Sequence, residues 1–477
     1  MQGGCCPMKK LFWNVLGLLA LAGCGGPVRQ SLVFRENEDV FRNPGQGWSA
    51  AYEPVSAFDG IVNVGAVYDR WEWRDLEPEE GRYDWARLDA RIEYARTNGV
   101  PYYFRIMCVN ACSNRRRESP DWFFAKPGAK KHVWRKGNKY RDWTNGGKET
   151  TEREAPYFDD PVFLRCHGRF IAALAKRYDG HPVIGAIDIG SYGNFAEWHC
   201  FPMEYPYKFD AACRRAIADM YLDNFTKTPL LFLSGENKET FAYALSKGTF
   251  PRVGVRLDSV GSTWHYGRWV GTPPYKDVPR FGEIWKSQPV FLEFIGGESW
   301  FHLHEKNEWY RGRQSTIPEA VDWILAQHAS LVNTCPITPK NVKKVNPDAY
   351  AAFRKIDLYA GARLVPHTAE SVLDGETLRL RLDGENKGTA PILLPYRLEW
   401  RFRAADGRLL GAVPSATSVR TLLPGGFRLE ETLDVGAFRD FATVSLAVVH
   451  IPAALPDFRL AALDLNRFGE LVVFRRK

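Results

Sequence analysis

Two glutamates stand at the ends of apolar segments of the kind that form buried strands. Glu197 comes after the segment 183–189 and a turn-rich stretch, and Glu293 ends the segment 289–292. Catalytic groups of an α/β barrel lie at the carboxyl ends of its strands. Two carboxylates at such a place are the minimum apparatus for cleaving a glycosidic bond. One protonates the leaving oxygen, and the other attacks the anomeric carbon or activates water.

The neighbours of Glu197 predict its protonation state. Phe195 and Trp198 flank it in sequence. Aromatic neighbours that desolvate a carboxyl raise its pKa, as a general acid near neutral pH requires. The alternative is a glutamate on a surface loop, and the nearest substitute for Glu293 is Glu298. The pair Glu197 and Glu293, in matching positions on two strands, favours the catalytic interpretation.

The elements that must position this pair alternate between strand and helix. Apolar runs predict eight strands, with helical patterns between them; the first strand follows a turn at 43–52, and the others are 64–68, 101–108, 183–189, 229–234, 252–258, 289–294 and 329–334. This alternation predicts an α/β fold with a parallel sheet closed into a (β/α)8 TIM barrel over residues 46–362. An open doubly wound sheet is the second choice, but no glycine-rich phosphate turn follows any strand.

The pattern changes after the barrel. Leu378, Leu380 and Leu382 alternate with arginines at period two, and turn signals separate further strand-like runs. This pattern predicts a C-terminal β-sandwich over residues 363–477. No group suited to catalysis is concentrated there, so we interpret it as a structural or accessory domain.

The N-terminal segment is typical of an export signal. Two lysines precede the apolar run 11–21, which is too short to span a bilayer as a stable helix, and Cys24 follows small residues. The ending Leu-Ala-Gly-Cys resembles a bacterial lipobox, which implies cleavage and lipidation at Cys24. We therefore expect a signal peptide over 1–24, a tether over 25–45 and a lipid anchor at the bacterial cell envelope, in the outer membrane. An ordinary secreted protein is the alternative.

The barrel region resembles the (β/α)8 glycoside hydrolase clan whose catalytic glutamates follow the fourth and seventh strands. Residues 73–78 and 81–85 look like the second-strand signature of its β-galactosidase and xylanase branches, and 289–296 is similar to its nucleophile strand. The resemblance implies an acid/base role for Glu197 and a nucleophile role for Glu293. The clan usually has Asn immediately before the acid/base glutamate, whereas Ala196 stands here.

Further polar and aromatic residues near the predicted strand ends are candidates for holding a substrate or orienting a carboxylate: Arg105, His199, Asp258, Trp264, His265, Trp300 and Asn333. The segment 115–148 is rich in arginine and lysine. It is either a solvated loop or a binding site for an anionic sugar, such as a sulfated sugar or a uronate. No Cys/His cluster has the spacing of a zinc site, so no metal is predicted. We expect no cofactor and no nucleic-acid partner.

Composition is compatible with a carbohydrate-active protein. The chain has 477 residues, of which 45% are hydrophobic and 16 are tryptophan. This excludes a disordered chain and provides for a large core, and indole faces also stack on sugar rings. The first hypothesis is a retaining glycoside hydrolase that acts on a β-linked glycan. If the basic segment 115–148 binds substrate, this glycan is anionic. The second is a glycan-binding lipoprotein whose barrel has lost catalysis.

Overall fold

The computed structural model describes residues 26–51, 53–113, 115–135, 152–233, 237–260, 278–294, 317–333 and 347–476. Its strands are β1 (Val28–Val33), β2 (Gly47–Ala51), β3 (Val64–Glu72), β4 (Tyr102–Met107), β5 (Lys131–Arg135), β6 (Glu152–Pro156), β7 (Ile184–Asp188), β8 (Leu230–Leu233), β9 (Gly254–Val260), β10 (Val290–Phe294), β11 (Leu331–Asn333), β12 (Leu364–Asp374), β13 (Thr377–Asn386), β14 (Tyr396–Arg403), β15 (Leu409–Pro414), β16 (Gly425–Asp434), β17 (Thr443–His450) and β18 (Leu471–Arg475). Its helices are α1 (Trp73–Leu76), α2 (Trp85–Thr97), α3 (Asp121–Phe124), α4 (Pro161–Tyr178), α5 (Ala211–Leu222), α6 (Lys238–Ser246), α7 (Ile317–Ala326) and α8 (Pro347–Tyr359).

Eight strands close into a barrel. Strands β2, β3, β4, β7, β8, β9, β10 and β11 are hydrogen-bonded in this order, and β11 returns to β2. Every neighbouring pair in this ring is parallel. The predicted (β/α)8 barrel is therefore confirmed. Because all eight strands run the same way, their carboxyl ends meet at one mouth.

Side chains fill the barrel rather than leaving a pore. Every residue of β4, β7 and β10 is buried, as expected for strands covered on both faces. The inward-facing apolar residues form a cluster separate from the main core and made of Ala66, Tyr68, Tyr103, Ala186, Leu231, Phe291 and Leu331. The charged residues of the site lie directly above this apolar layer.

Helices pack on the outside of the barrel by the faces that the sequence predicts. In α2, the buried residues Leu88, Ile92 and Ala95 recur at spacings of four and three. Helix α4 begins at Pro161, and the side chain of Asp160 accepts a hydrogen bond from the Val162 N–H at 2.9 Å. Among the described residues, no helix is long and apolar enough to cross a membrane.

The C-terminal part consists of two antiparallel four-stranded sheets, in the orders β1-β12-β13-β16 and β15-β14-β17-β18. In β13, the leucines of the period-two pattern are buried. The N-terminal segment differs from the prediction. Residues 28–33 of the expected tether form β1, which pairs antiparallel with β12 from Val28 opposite Leu373 to Val33 opposite Thr368. This segment is therefore an edge strand of the C-terminal domain, because β12 offers an unpaired edge that a strand can complete.

Candidate active site

One guanidinium joins the two predicted glutamates. Arg70 follows Tyr68 on β3 at the barrel mouth, and its Nη1 lies 3.4 Å from Oε1 of Glu197. Its Nη2 donates to both carboxylate oxygens of Glu293, at 3.2 and 3.1 Å. Glu197, which follows the fourth barrel strand, and Glu293, which lies on the seventh, thus converge on a single side chain. The exposed fraction is 9% for Glu197 and 8% for Glu293, so both carboxylates are largely shielded from water.

Glu293 is held as an anion by donors from three strands. Besides Arg70, the Nη2 of Arg256 on β9 donates to its Oε2, and the Nδ2 of Asn333 on β11 donates to the same oxygen at 2.9 Å. Burial is the largest influence on the pKa of Glu293 and raises it, but the two guanidinium charges outweigh burial and leave the pKa lowered. Glu293 is therefore ionised at neutral pH.

An arginine and a histidine contact the carboxylate of Glu197 besides Arg70. Arg105 Nη1 donates to its Oε1 at 3.2 Å, and His199 Nε2 lies 3.7 Å from its Oε2. Burial raises the pKa of Glu197, as predicted, and is the largest single influence. The interaction with His199 and the two guanidinium charges outweigh it, so the net pKa is lowered. The prediction of a raised pKa was wrong because it counted only desolvation and left out the charges of Arg70 and Arg105 and the hydrogen bond with His199.

The loop that carries Glu197 has an unusual backbone. Ser191, Phe195, Ala196 and Trp198 all have positive φ, between 56° and 71°. Such conformations cost of order 1–3 kcal/mol each in non-glycine residues and cluster at functional sites. Buried hydrogen bonds hold the loop: Ser191 N–H donates to the Ile106 carbonyl at 2.8 Å, and Asn194 N–H to the His199 carbonyl at 2.7 Å.

A glycine is required within this loop. A Cβ at Gly193, where φ is +78°, would stand 2.3 Å from the carbonyl oxygen of His199. The loop therefore closes on itself at the only residue type that permits this approach. Arg105 also donates to the Phe195 carbonyl at 3.1 Å, so the same guanidinium fixes both the loop and the carboxylate of Glu197.

A buried ionic network lies beneath the two glutamates. Arg105 and Arg256 are both 0% exposed, and both approach Asp188 Oδ2, with Nε at 3.3 and 3.6 Å respectively. Tyr68 donates its hydroxyl to the same oxygen at 2.7 Å and accepts a hydrogen bond from Arg105 Nε. Burial raises the pKa of Tyr68, so its hydroxyl stays neutral. Asp188 therefore aligns the two arginines that hold the glutamates above it.

The structure brings several predicted site residues together in roles that differ in part from the prediction. Arg105 and Asn333 are 0% exposed, so they orient Glu197 and Glu293 and present no surface to a substrate. His199 and Asp258 are partly exposed and remain candidates for substrate contact. Trp264, His265, Trp300 and the substitute Glu298 lie outside the described residues, as does Cys24.

Sequence reasoning did not assign a role to Arg70, Arg256 or Tyr68. A signal was available, because residues two apart on a strand share a face. Arg256 precedes Asp258 by two positions, and Tyr68 precedes Arg70 by two positions. Both pairs therefore predict a polar stripe facing the barrel interior.

The described part of the basic segment is largely neutralised by acidic partners. Its ion pairs are Arg115 with Glu72 and Asp75, Arg116, Arg117 and Lys131 with Glu154, Lys126 with Glu80, and Arg135 with Glu152. The side chain of Glu154 is 0% exposed beneath its cations. These contacts favour a structural role for residues 115–135. Residues 136–148 lie outside the described range.

The signature around the second barrel strand is structural. Trp73 is 0% exposed and donates its indole N–H to Glu77 Oε2 at 2.8 Å. The other oxygen of Glu77 accepts the Gly81 N–H at 2.8 Å. The buried carboxylate of Glu77 thus ties α1 to the following turn. These residues shape the chain that leaves the barrel mouth.

Within the described residues, no group of His, Cys, Asp and Glu is arranged to hold a metal ion. The sequence of residues 62–219 matches the family Glyco_hydro_42, described as β-galactosidase. This range contains Arg70, Arg105 and Glu197 but ends before Glu293. A comparison with curated protein sequences finds no match.

Solved structures of carbohydrate-cleaving enzymes are weakly similar. The exo-β-1,4-mannosidase Op5Man5 from Opitutaceae bacterium strain TAV5 is 11% identical with a TM-score of 0.38, and the match covers 67% of this chain and 60% of that one. An endo-β-1,4-xylanase from Gloeophyllum trabeum is 10% identical with a TM-score of 0.34, and the match covers 66% of this chain and 96% of that one. The catalytic domain of the major endoglucanase from Xanthomonas campestris pv. campestris is 12% identical with a TM-score of 0.33, and the match covers 68% of this chain and 94% of that domain.

Likenesses at this level carry no argument about activity or substrate. The fold assignment rests instead on the hydrogen-bonded order of the eight parallel strands. The second-strand signature, residues 73–78 and 81–85, lies within the range that matches the family. The chain thus combines a closed eight-stranded parallel barrel with a sequence that is similar, over residues 62–219, to the β-galactosidase family.

Proposed function

We propose that this protein is a retaining glycosidase that hydrolyses β-linked glycans, with Glu293 as its nucleophile. One observation carries the proposal: Glu197 and Glu293 come from opposite parts of the barrel and meet on the guanidinium of Arg70 at the mouth. A buried ionic network is costly to build, and groups with perturbed pKa values cluster at functional sites. The free-energy cost of burying these charges favours a catalytic role over glycan binding alone.

The surroundings of Glu293 suit nucleophilic attack. A carboxylate nucleophile must be ionised and fixed in direction before the substrate arrives. The donors Arg70, Arg256 and Asn333 satisfy both requirements. Attack on the anomeric carbon forms a glycosyl ester and neutralises the charge of Glu293. Water then hydrolyses this ester, and the two displacements together retain the anomeric configuration.

The role of Glu197 needs a proton that its surroundings disfavour. By its place after the fourth barrel strand, Glu197 is the expected acid/base. The first step of a retaining mechanism requires a protonated group beside the leaving oxygen. Arg70, Arg105 and His199 stabilise the anion of Glu197 instead. Glu197 can therefore act as the acid only in complexes in which it has taken up a proton.

A panel of glycans tests the proposed activity. We expect release of reducing sugar from at least one β-linked glucan, mannan, xylan or galactan. The anomer first formed, followed by NMR, should be β, because two successive displacements at the anomeric carbon restore its configuration. An α-product first would identify an inverting enzyme. Binding without turnover across the panel would favour the alternative of a glycan-binding lipoprotein, which Ala196 in place of the usual Asn suggests.

The charge of the substrate is a finer part of the proposal. The arginines and lysines of residues 115–135 that could attract sulfate or carboxylate groups already have acidic partners. We therefore favour a neutral glycan over an anionic one. Equal or better turnover of sulfated or uronate-containing glycans than of neutral ones would contradict this choice.

We also propose that the protein is a lipoprotein of the bacterial cell envelope, anchored at Cys24. The lipobox-like sequence supports this, and β1 begins at Val28. Four residues span at most about 14 Å, so the anchor would hold the edge of the C-terminal sheet close to the membrane.

The substitution Cys24→Ala tests the anchor. It should prevent lipidation and move the protein from the membrane fraction to the soluble fraction, as detected by immunoblotting. Cys5→Ala, which changes a cysteine of the same segment outside the lipobox, is the control and should leave the protein in the membrane fraction. A mature protein whose N-terminus lies beyond Cys24 and carries no lipid, as measured by mass spectrometry, would disprove the anchor.

A further inference from the structure

A histidine and a serine form a buried pair beside the loop that carries Glu197. His167 lies on α4, Ser191 follows β7, and the Nε2 of His167 is 2.6 Å from the Oγ of Ser191. The same Oγ lies 2.7 Å from the hydroxyl oxygen of Tyr221 on α5. The side chains of His167, Ser191 and Tyr221 are all 0% exposed. They form a continuous hydrogen-bonded network between two helices and the first part of the loop.

This pair is not a second hydrolytic site. A serine nucleophile with a histidine base must present its oxygen to a substrate, whereas Ser191 and His167 are fully buried. Burial lowers the pKa of His167 to about 3, so its ring is neutral. Aromatic rings enclose it: the ring centre of Trp73 lies 4.6 Å away, and Phe163 stacks on it at 5.3 Å. The pair therefore serves to hold the backbone rather than to attack a substrate.

The backbone at Ser191 needs such support. Its φ is 71°, in the left-handed region that residues other than glycine rarely adopt. Its N–H donates to the carbonyl of Ile106 on β4 at 2.8 Å, which holds it from the barrel side. Its hydroxyl is held from the helical side by His167. A conformation of this kind persists only where the surrounding structure over-determines it, and the His167 contact is one of the bonds that do so.

Hydrogen bonds within the loop connect Ser191 to Glu197. The Trp198 N–H donates to the Tyr192 carbonyl at 3.2 Å. These two residues directly follow Glu197 and Ser191, so this bond ties the two parts of the loop together. The Glu197 N–H donates to the Asn194 carbonyl at 2.9 Å. The loop is thus a closed unit, and a shift at Ser191 also moves the carboxylate of Glu197.

We propose that His167 is a positioning residue for Glu197 and acts on it through the hydroxyl of Ser191. This inference rests on the proposed glycosidase function. A general acid must lie about 2.6–3.2 Å from the leaving oxygen, and a misplacement of about 1 Å caused by a remote change can cost about 10²-fold in rate. Trp73, from the second-strand signature, forms one wall around His167 and is thereby linked to the same loop.

Two substitutions at His167 test this role through the position of one nitrogen. In His167→Gln the amide nitrogen stands as far along the side chain as Nε2 does and can still bind Ser191. In His167→Asn it stands at the position of Nδ1 and falls short of Ser191. His167→Asn should lower kcat/KM about 10²-fold on an alkyl glycoside but far less on a dinitrophenyl glycoside, whose leaving group needs no proton. His167→Gln should restore most of the activity on the alkyl glycoside.

A matched control lies on the same helix. Tyr178 of α4 donates its hydroxyl to Asp89 Oδ1 at 2.7 Å. Tyr178→Phe removes this bond to another helix, so it should leave the ratio of the two rates at the wild-type value. Ser191→Ala removes the hydroxyl from the other side of the pair and should reproduce the leaving-group-dependent loss of His167→Asn. Combining these two substitutions should add little, because both break the same contact.

Amide hydrogen exchange, followed by mass spectrometry, tests the hold on the loop without turnover. Exchange reports local opening, and the N–H groups of Ser191, Asn194 and Trp198 are all hydrogen-bonded in the closed loop. Peptides covering residues 190–199 should exchange faster in His167→Asn than in the wild type. In His167→Gln and in Tyr178→Phe, the same peptides should exchange at the wild-type rate.

The outcomes separate this inference from the proposed function. An equal loss on both glycosides in His167→Asn would assign a general structural role to His167 and overturn the inference, with the glycosidase function intact. Unchanged exchange across residues 190–199 in His167→Asn would overturn it as well. A wild type that cleaves no glycoside would overturn the proposed function and, with it, the positioning role, whatever the exchange shows.

Discussion

Replacing Glu293 by alanine is expected to reduce turnover by about 10⁴-fold or more, because removal of a nucleophile eliminates the first covalent step. The three donors that now stabilise the carboxylate would remain around an empty space. Binding of the glycan should persist, since the rest of the mouth is unchanged. The measurement is kcat on a dinitrophenyl glycoside, with a glycan-binding assay beside it.

Added azide makes this prediction specific. A small anion that occupies the space left by the Glu293 carboxylate can attack the anomeric carbon directly. A β-glycoside should then yield an α-glycosyl azide, because only one displacement occurs. Glu283→Ala is the matched control, since Glu283 is an exposed glutamate ten residues earlier in the sequence. It should retain wild-type turnover. Near wild-type activity of Glu293→Ala would show that the pair is structural and would direct attention to Glu298.

Replacing Arg256 by methionine is expected to have the largest effect on stability. The substitution removes a fully buried cation that pairs with Glu293 and Asp188. Breaking a buried pair by removing one partner typically costs about 3–5 kcal/mol, because the remaining charge is uncompensated. The free energy of unfolding, measured by urea denaturation at neutral pH, should fall by this amount. Arg280→Met, at an exposed pair with Glu283, should leave it unchanged.

The pH dependence of this loss has a definite sign. In the wild type, the lowered pKa of Glu293 means that its ionised form stabilises the fold above the ordinary carboxyl pKa, and this contribution is lost as the pH falls. In Arg256→Met the ionised form is no longer favoured. The difference in stability between variant and wild type should therefore shrink as the pH is lowered and Glu293 becomes protonated.

A double variant checks the cause. Adding Glu293→Gln to Arg256→Met removes the uncompensated charge and should recover about 1–3 kcal/mol of the loss. A double variant no more stable than Arg256→Met would show that packing around Arg256, including its stacking 4.5 Å from the Phe291 ring, accounts for the loss instead.

The sequence by itself determined the architecture and the pair of glutamates. Buried strands such as 183–189 and 289–292 are recognisable because both faces of a barrel strand are covered, which requires continuous apolar runs. The alternation with helices implied parallel strands, and parallel strands carry their carboxyl ends to one mouth. It followed that Glu197 and Glu293 meet there. The leucines of β13 likewise revealed a sheet with one buried face.

Only the tertiary structure decided the partners of those glutamates. The sequence places aromatic residues and His199 beside Glu197, but Arg70 and Arg105 reach it from strands more than ninety residues earlier in the chain. Their charges reverse the direction in which burial shifts its pKa. The tether became β1 for a similar reason, since its partner β12 lies more than three hundred residues later. Local sequence specifies which faces are buried, whereas pKa values and edge pairing depend on long-range contacts that only closure of the barrel and sheets creates.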